Sequence, residues 1–453
     1  KAPTSFALRC LLAFDANHNL NRLLSVNQER SGQFAVFNGI RVLSMGLVIQ
    51  GHSLLVAISF ATNPVDLYPP HGALSTDWTM QIIPSAEFAV DTFFMMSGFL
   101  AAFGMLKRLD AGKSLNIPLL YLHRYLRLTP AYAFVLFVNT YVVPYVASGP
   151  AWNSSNSGGF HMCREYWWAN LLYINNLVPW SHALDGCIAW TWYLANDMQF
   201  FLLAPWLVWL VHKHYRTGVA LIGGLLFASF VGGFLVRHKH HYYSLTDFSG
   251  QAGFGDNANY AYSRPWLRIQ PYLVGMLGFL VWRRFGKYWT EQRVKLCGGV
   301  WLLRHFVRGA ALATLLACFY GAFAFYADLK PTWSTDRLTL YSGATRGVWG
   351  AALMVLCAMW FMSPRDPIAR FLGASFWEPL SRLTFGAYMV HLIIIALLRY
   401  SRANPWVYSR IQFANDFAGT WTLAYAVAAV CFLLVEKPFM NLEVLLMKRL
   451  GAM

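Results

Sequence analysis

Apolar residues in this chain gather into blocks about twenty residues long, separated by shorter polar and basic stretches. A helix of about twenty residues crosses roughly 30 Å of hydrocarbon, so each block has the length of a membrane span. Ten blocks are legible, running from Gly39 to Ala61, Glu87 to Leu106, Leu128 to Ala147, Ile188 to Val211, Gly218 to Val236, Ile269 to Trp282, Gly309 to Tyr326, Gly343 to Met362, Leu383 to Leu398 and Gly419 to Val435. The sixth and ninth are short. The pattern predicts an all-α, polytopic integral membrane protein with about ten transmembrane helices in one bundle. No internal repeat, low-complexity tract or Pro-rich linker interrupts it, so residues 39–453 read as one membrane domain behind a leader, residues 1–38. The leader has an apolar patch at Leu11 to Phe14 and a polar run from Asp15 to Asn21, too short and too polar to span, and is expected to be cytoplasmic or interfacial.

Composition agrees with burial in lipid. Hydrophobic residues make up 57% of the chain and charged ones 12%, about half the charge fraction of a soluble domain. Ten spans put both ends of the chain on one side, and Lys and Arg concentrate there: Lys107, Arg108, Lys113, Arg124 and Arg127 follow the second span, and a further basic group runs from Arg283 to Arg308. By the positive-inside rule that side is cytoplasmic, in the plasma membrane or an endomembrane. The net charge of +16 is then a topology signal facing anionic lipid, and no nucleic-acid partner is needed to explain it.

The seven cysteines are too few and scattered for a disulfide scaffold. Cys318, Cys357 and Cys431 lie in apolar spans and read as packing residues. Cys163 and Cys187 share the long non-cytoplasmic loop from Ser148 to Cys187, which also carries a glycosylation sequon at Asn153, and are expected to form a disulfide, with two free thiols as the alternative. The trio His238, His240 and His241 fits no compact tetrahedral motif, and no metal site is assigned.

Chemistry is sought among ionisable groups inside or at the mouths of spans, where charge is costly. The first span holds His52 near its middle and Arg41 at its mouth. Eleven residues bring a helix back to within roughly 20° after a rise of about 16 Å, so the two share a face. A cation there suits a phosphate, and an imidazole suits a base or nucleophile near neutral pH. The plain alternative is a His52 that only hydrogen-bonds a neighbouring helix. Arg124 and Arg127, three apart at the cytoplasmic end of the third span, point the same way, although positive-inside flanking also explains arginine there. Two acids, Asp91 and Asp197, lie inside the second and fourth spans and need partners. A carboxylate on His52 would fix its tautomer, and either is a candidate.

In order and wording these segments resemble acyltransferase family 3, the membrane O-acyltransferases, from about Phe37 to Glu443. The matching features are the Arg41-to-His52 spacing, Val90-Asp91-Thr92-Phe93-Phe94 leading to Ser97-Gly98-Phe99, the Arg124/Arg127 pair, Trp192 to Phe201, Leu383 to His391, and Glu436-Lys437-Pro438. Within the family the wording is most similar to the animal nose-resistant-to-fluoxetine group, through Gly39 to Met45, Arg264 to Tyr272 and Cys10 to Leu24. That group has a luminal cysteine-containing domain and a further span ahead of this region, so a chain opening at Lys1 is expected to be a piece of a longer protein. Many family members have Glu where Asp197 stands, which shortens the carboxylate's reach here.

The resemblance implies an enzyme with no bound cofactor, moving an acyl group, acetyl foremost, from cytoplasmic acyl-CoA as co-substrate to a hydroxyl in or across the bilayer. The acceptor class is open: lipid, sterol, carbohydrate or small molecule. The expected assignment makes His52 the base, Asp197 or Asp91 its orienting partner, and Arg41, Arg124 and Arg127 the donor-binding cations. The competing expectation is a transport or lipid-handling protein for lipids or small hydrophobic compounds that keeps the scaffold without the chemistry.

Overall fold

The computed structural model describes residues 5–26, 34–58, 60–67, 72–152, 160–180, 186–241, 254–291, 299–321, 333–363 and 365–449. Among the described residues there is no strand, only one isolated bridge between Ala61 and Trp406. Ten helices of 22 to 27 residues dominate: α1 (Val36–Ile58), α2 (Glu87–Asp110), α3 (Ile117–Tyr141), α4 (Trp192–Lys213), α5 (Tyr215–His240), α6 (Gln270–Glu291), α7 (Gly299–Tyr320), α8 (Thr335–Phe361), α9 (Trp377–Tyr400) and α10 (Arg410–Cys431). Each overlaps one of the ten apolar blocks. The chain is therefore a polytopic helical membrane protein. Eight stretches of the described chain are both long and apolar enough to cross a bilayer. α6 and α7 have the length but carry Arg283 and Arg284, and Arg304 and Arg308, within the helix.

α2 and α4 lie deepest. In each, 67% of the apolar stretch is buried inside the protein, against 17% for the peripheral α5. Two glycines set how closely α2 meets α6. A Cβ on Gly98 would fall 2.0 Å from the Tyr272 carbonyl oxygen, and one on Gly275 would fall 2.0 Å from that of Met95. Only glycine lets the two backbones touch this way. α9 packs against both α1 and α10, and α2 also meets α1 and α4. Near one end Phe37 of α1, Phe99 of α2 and Phe361 of α8 pack edge to face, with centroids 5.3 Å apart for Phe37 and Phe361 and 5.4 Å for Phe37 and Phe99.

The leader folds into two short helices, Phe6–Leu12 and Ala16–Leu24, each opened by a side-chain cap from Ser5 or Asp15. Polar contacts tie it to the bundle at two places. Asn441 donates to the Ala13 carbonyl and to Asn19, while Arg382 of α9 donates to the carbonyls of Arg22, Leu23 and Ser25. Meanwhile Phe6, Leu11, Phe14 and Leu24 stay exposed.

Cys163 and Cys187 form the expected disulfide. It sits beside a buried polar hub in which the Tyr132 and Thr191 hydroxyls lie 2.7 Å apart, and Asn170 donates to the Tyr132 hydroxyl and to the Cys187 carbonyl, each at 2.9 Å. This hub fixes where α4 begins, and so where Asp197 stands. The sequon at Asn153 lies outside the described residues.

Candidate active site

Three groups of polar side chains occupy the bundle, with Asp91 and Arg268 fully buried, His52, Arg41 and Arg124 partly buried and Arg127 exposed. The first centres on His52 in α1. Its Nδ1 lies 3.0 Å from Nε2 of His391 in α9, and the rings are 5.0 Å apart at their centroids. His391 is fully buried, and its Nδ1 lies 2.6 Å from the Tyr388 carbonyl one turn back. Trp190 and Tyr388 flank it, with centroids 6.4 and 5.8 Å away. The Tyr388 hydroxyl donates to the Trp190 carbonyl, so the wall around the imidazole pair is itself pinned.

The second group holds the basic residues. α3 starts at Ile117, where Asn116 caps the Leu119 N–H. The helix therefore begins well before the apolar block does, and Arg124 and Arg127 lie about two and three turns inside it rather than at its end. Arg124 is bonded to Asp197 of α4 and stacks 4.2 Å over the Phe201 ring. The other Asp197 oxygen accepts from Ser97 of α2 at 2.6 Å. Arg41 lies in electrostatic range of Arg127, and Arg127 in range of Arg124, Glu436 and Glu443, so all three predicted cations gather in one region. Tyr193 joins this region to the imidazoles. It feels Arg41, Arg124 and Asp197, and its ring lies 5.5 Å from that of Tyr388.

The third group lies along α2 and α8. Asp91 bonds Arg268 at 2.9 Å and Arg346 at 3.3 Å, and Arg346 also reaches Glu87 at 3.0 Å. Neither the Asp91 nor the Arg268 side chain has any solvent exposure. Removing ions from water is costly, and the network offsets that cost by pairing.

The structure does not bring either expected carboxylate to His52. Among the described residues both oxygens of Asp197 are committed to Arg124 and Ser97, and those of Asp91 to Arg268 and Arg346. A carboxylate inside a bundle is drawn to the nearest guanidinium, which matches its charge and its two-oxygen geometry better than a neutral imidazole does. His391 takes that place. The sequence signal that finds it is the same as for His52, a lone imidazole in an apolar helix. Likewise Arg346, a lone cation within a span, is the partner that Asp91 required.

The fold and these side chains define a helical membrane protein with a buried imidazole pair linked by a tyrosine wall to an arginine cluster. An acyltransferase domain model matches residues 34–436. The chain therefore belongs to the acyltransferase 3 family. It is 28% identical to nose resistant to fluoxetine protein 6 of Caenorhabditis elegans, over 97% of this chain and 54% of that protein. It is 24% identical to regulator of hypoxia-inducible factor 1 of the same organism, over 82% of this chain and 72% of that protein. The chain thus spans about half the length of the first of these relatives. No solved structure matches it.

Proposed function

We propose that this chain transfers an acyl group, acetyl foremost, from acyl-CoA to a hydroxyl acceptor in or across the membrane. The observation that carries the reading is the placement of His52 on the same helix as Arg41, with Arg41, Arg124 and Arg127 gathered at one region of the bundle and the Tyr193 and Tyr388 rings in contact between them and the imidazole pair. Acyl-CoA is a long molecule with phosphates at one end and a thioester at the other. About 16 Å of helix separates Arg41 from His52, the right order of length for such a donor.

In this reading the arginine end faces the cytoplasm, in keeping with its surplus of basic residues, and the leader lies on the same side against the headgroups. The three guanidiniums hold donor phosphates. His52 takes the proton from the acceptor hydroxyl as its oxygen attacks the acyl carbon, and the departing thiolate receives that proton as the carbon–sulfur bond breaks. Asp197 acts on the donor side by fixing the Arg124 fork, and Asp91 belongs to the scaffold.

The test is coenzyme A release from acetyl-CoA by the purified protein in lipid, wild type against His52→Ala. Release confined to the wild type supports acyl transfer. Absence of both release and acetyl-CoA binding would move the assignment to transport on an acyltransferase scaffold.

A further inference from the structure

We infer that His391 is a positioning residue that sets which nitrogen of His52 reacts, through a chain of peptide carbonyl, imidazole and imidazole. The inference rests on His52 acting as the base, and it deepens that role by specifying the tautomer and the reactive atom.

A carbonyl oxygen only accepts, so the 2.6 Å contact between the Tyr388 carbonyl and Nδ1 of His391 requires a proton on that nitrogen. A neutral imidazole carries one proton, so Nε2 of His391 is left as an acceptor. The atom 3.0 Å away, Nδ1 of His52, must then donate. That contact places the His52 proton on Nδ1. The lone pair is on Nε2, which has no hydrogen-bond partner among the described residues.

This wiring does in an apolar interior what a carboxylate does in a water-facing triad. An aspartate against His52 would bring a negative charge into the bundle and need a second partner. The His391 imidazole orients the ring with no net charge in the resting site. During transfer the acceptor proton arrives on Nε2 of His52, the acyl carbon–oxygen bond forms and the carbon–sulfur bond breaks. The same proton then leaves for the thiolate. While His52 is an imidazolium, its Nδ1–H bond to His391 becomes charge-assisted and stronger, so the contact favours the charged intermediate over the ground state.

Two measurements test the relay. Nitrogen-15 NMR of histidine-labelled wild type in lipid, with His52→Ala and His391→Phe used for assignment, is expected to show both rings neutral and protonated on Nδ1. A proton on Nε2 of either ring overturns the inference. Kinetically, His391→Phe keeps an aromatic of similar size but no acceptor. It is expected to lower kcat on the order of 10²-fold at unchanged KM for acetyl-CoA. His391→Gln, whose amide oxygen can accept from Nδ1–H of His52, is expected to recover at least part of the loss. Equal losses in the two variants, or a loss carried by KM, would overturn the positioning role. If the wild type releases no coenzyme A, acyl transfer itself fails, whereas the NMR arm, run without substrate, still decides the wiring.

Discussion

The imidazole pair and the Asp91 network are both buried polar clusters in the same bundle, yet they are built in opposite ways. Around Asp91 each carboxylate oxygen meets a guanidinium, and the partners come from separate parts of the chain. Around His52 nothing is charged by necessity, and one nitrogen is left without a partner. A charge-paired network holds helices together, because breaking it strands a charge. The atoms it leaves without a hydrogen bond, Nη2 of Arg268 and Nε of Arg346, are N–H donors. Burial alone does not distinguish scaffold from site; a nitrogen left with a free lone pair does.

The sharpest way to break this contrast is to remove each centre. His52→Ala should reduce coenzyme A release by about 10²- to 10⁴-fold while leaving the thermal midpoint in detergent close to that of the wild type. Asp91→Ala should do the reverse at the level of folding, costing about 3–5 kcal/mol because Arg268 is left buried and unpaired, as read by detergent unfolding. A stable Asp91→Ala protein with lost activity would place Asp91 in the site after all. A smaller effect separates donor binding from chemistry. Arg124→Gln should raise KM for acetyl-CoA about 10-fold, near 1.4 kcal/mol, with little change in kcat.

The smallest expected effect concerns a paired carboxylate outside the spans. Asp366 caps the helix Pro367–Leu372 and meets Arg308 at 2.5 Å. Partial burial pushes its carboxyl up, but the Ala369 and Ile368 N–H groups and the Arg308 guanidinium outweigh this and hold it below the ordinary range. A depressed folded value means that the stabilisation is present above the ordinary carboxylate range and is lost as pH falls through the depressed value. Asp366→Asn should therefore lower the unfolding midpoint slightly at neutral pH and flatten its fall toward about pH 3, which unfolding scans across that range would detect.

Much of the fold was legible because lipid imposes length and apolarity on each span separately, so every helix announces itself without reference to its neighbours. His52 and Arg41 were legible for a related reason: both lie on one helix, where spacing fixes direction. The carboxylate partners were not. Whether Asp197 meets His52 or Arg124 depends on how α4 sits against α1 and α3, and no single helix encodes that. His391 falls between the two cases. Its place in an apolar span is visible in sequence, but its pairing with His52 arises only where α9 packs on α1. The start of α3 is set by the Asn116 cap and not by hydropathy, so Arg124 and Arg127 lie within a helix that extends beyond the apolar block.

The glycine notch between α2 and α6 has a mechanical consequence. With Gly98 and Gly275 each seated against the opposite backbone, the two rods interlock like dovetailed timber, and neither can slide or roll without collision. They move as one piece, carrying Ser97 and the Asp91 network with them. A bulkier residue at position 98 or 275 would therefore be felt as a splayed bundle before it was felt as altered chemistry.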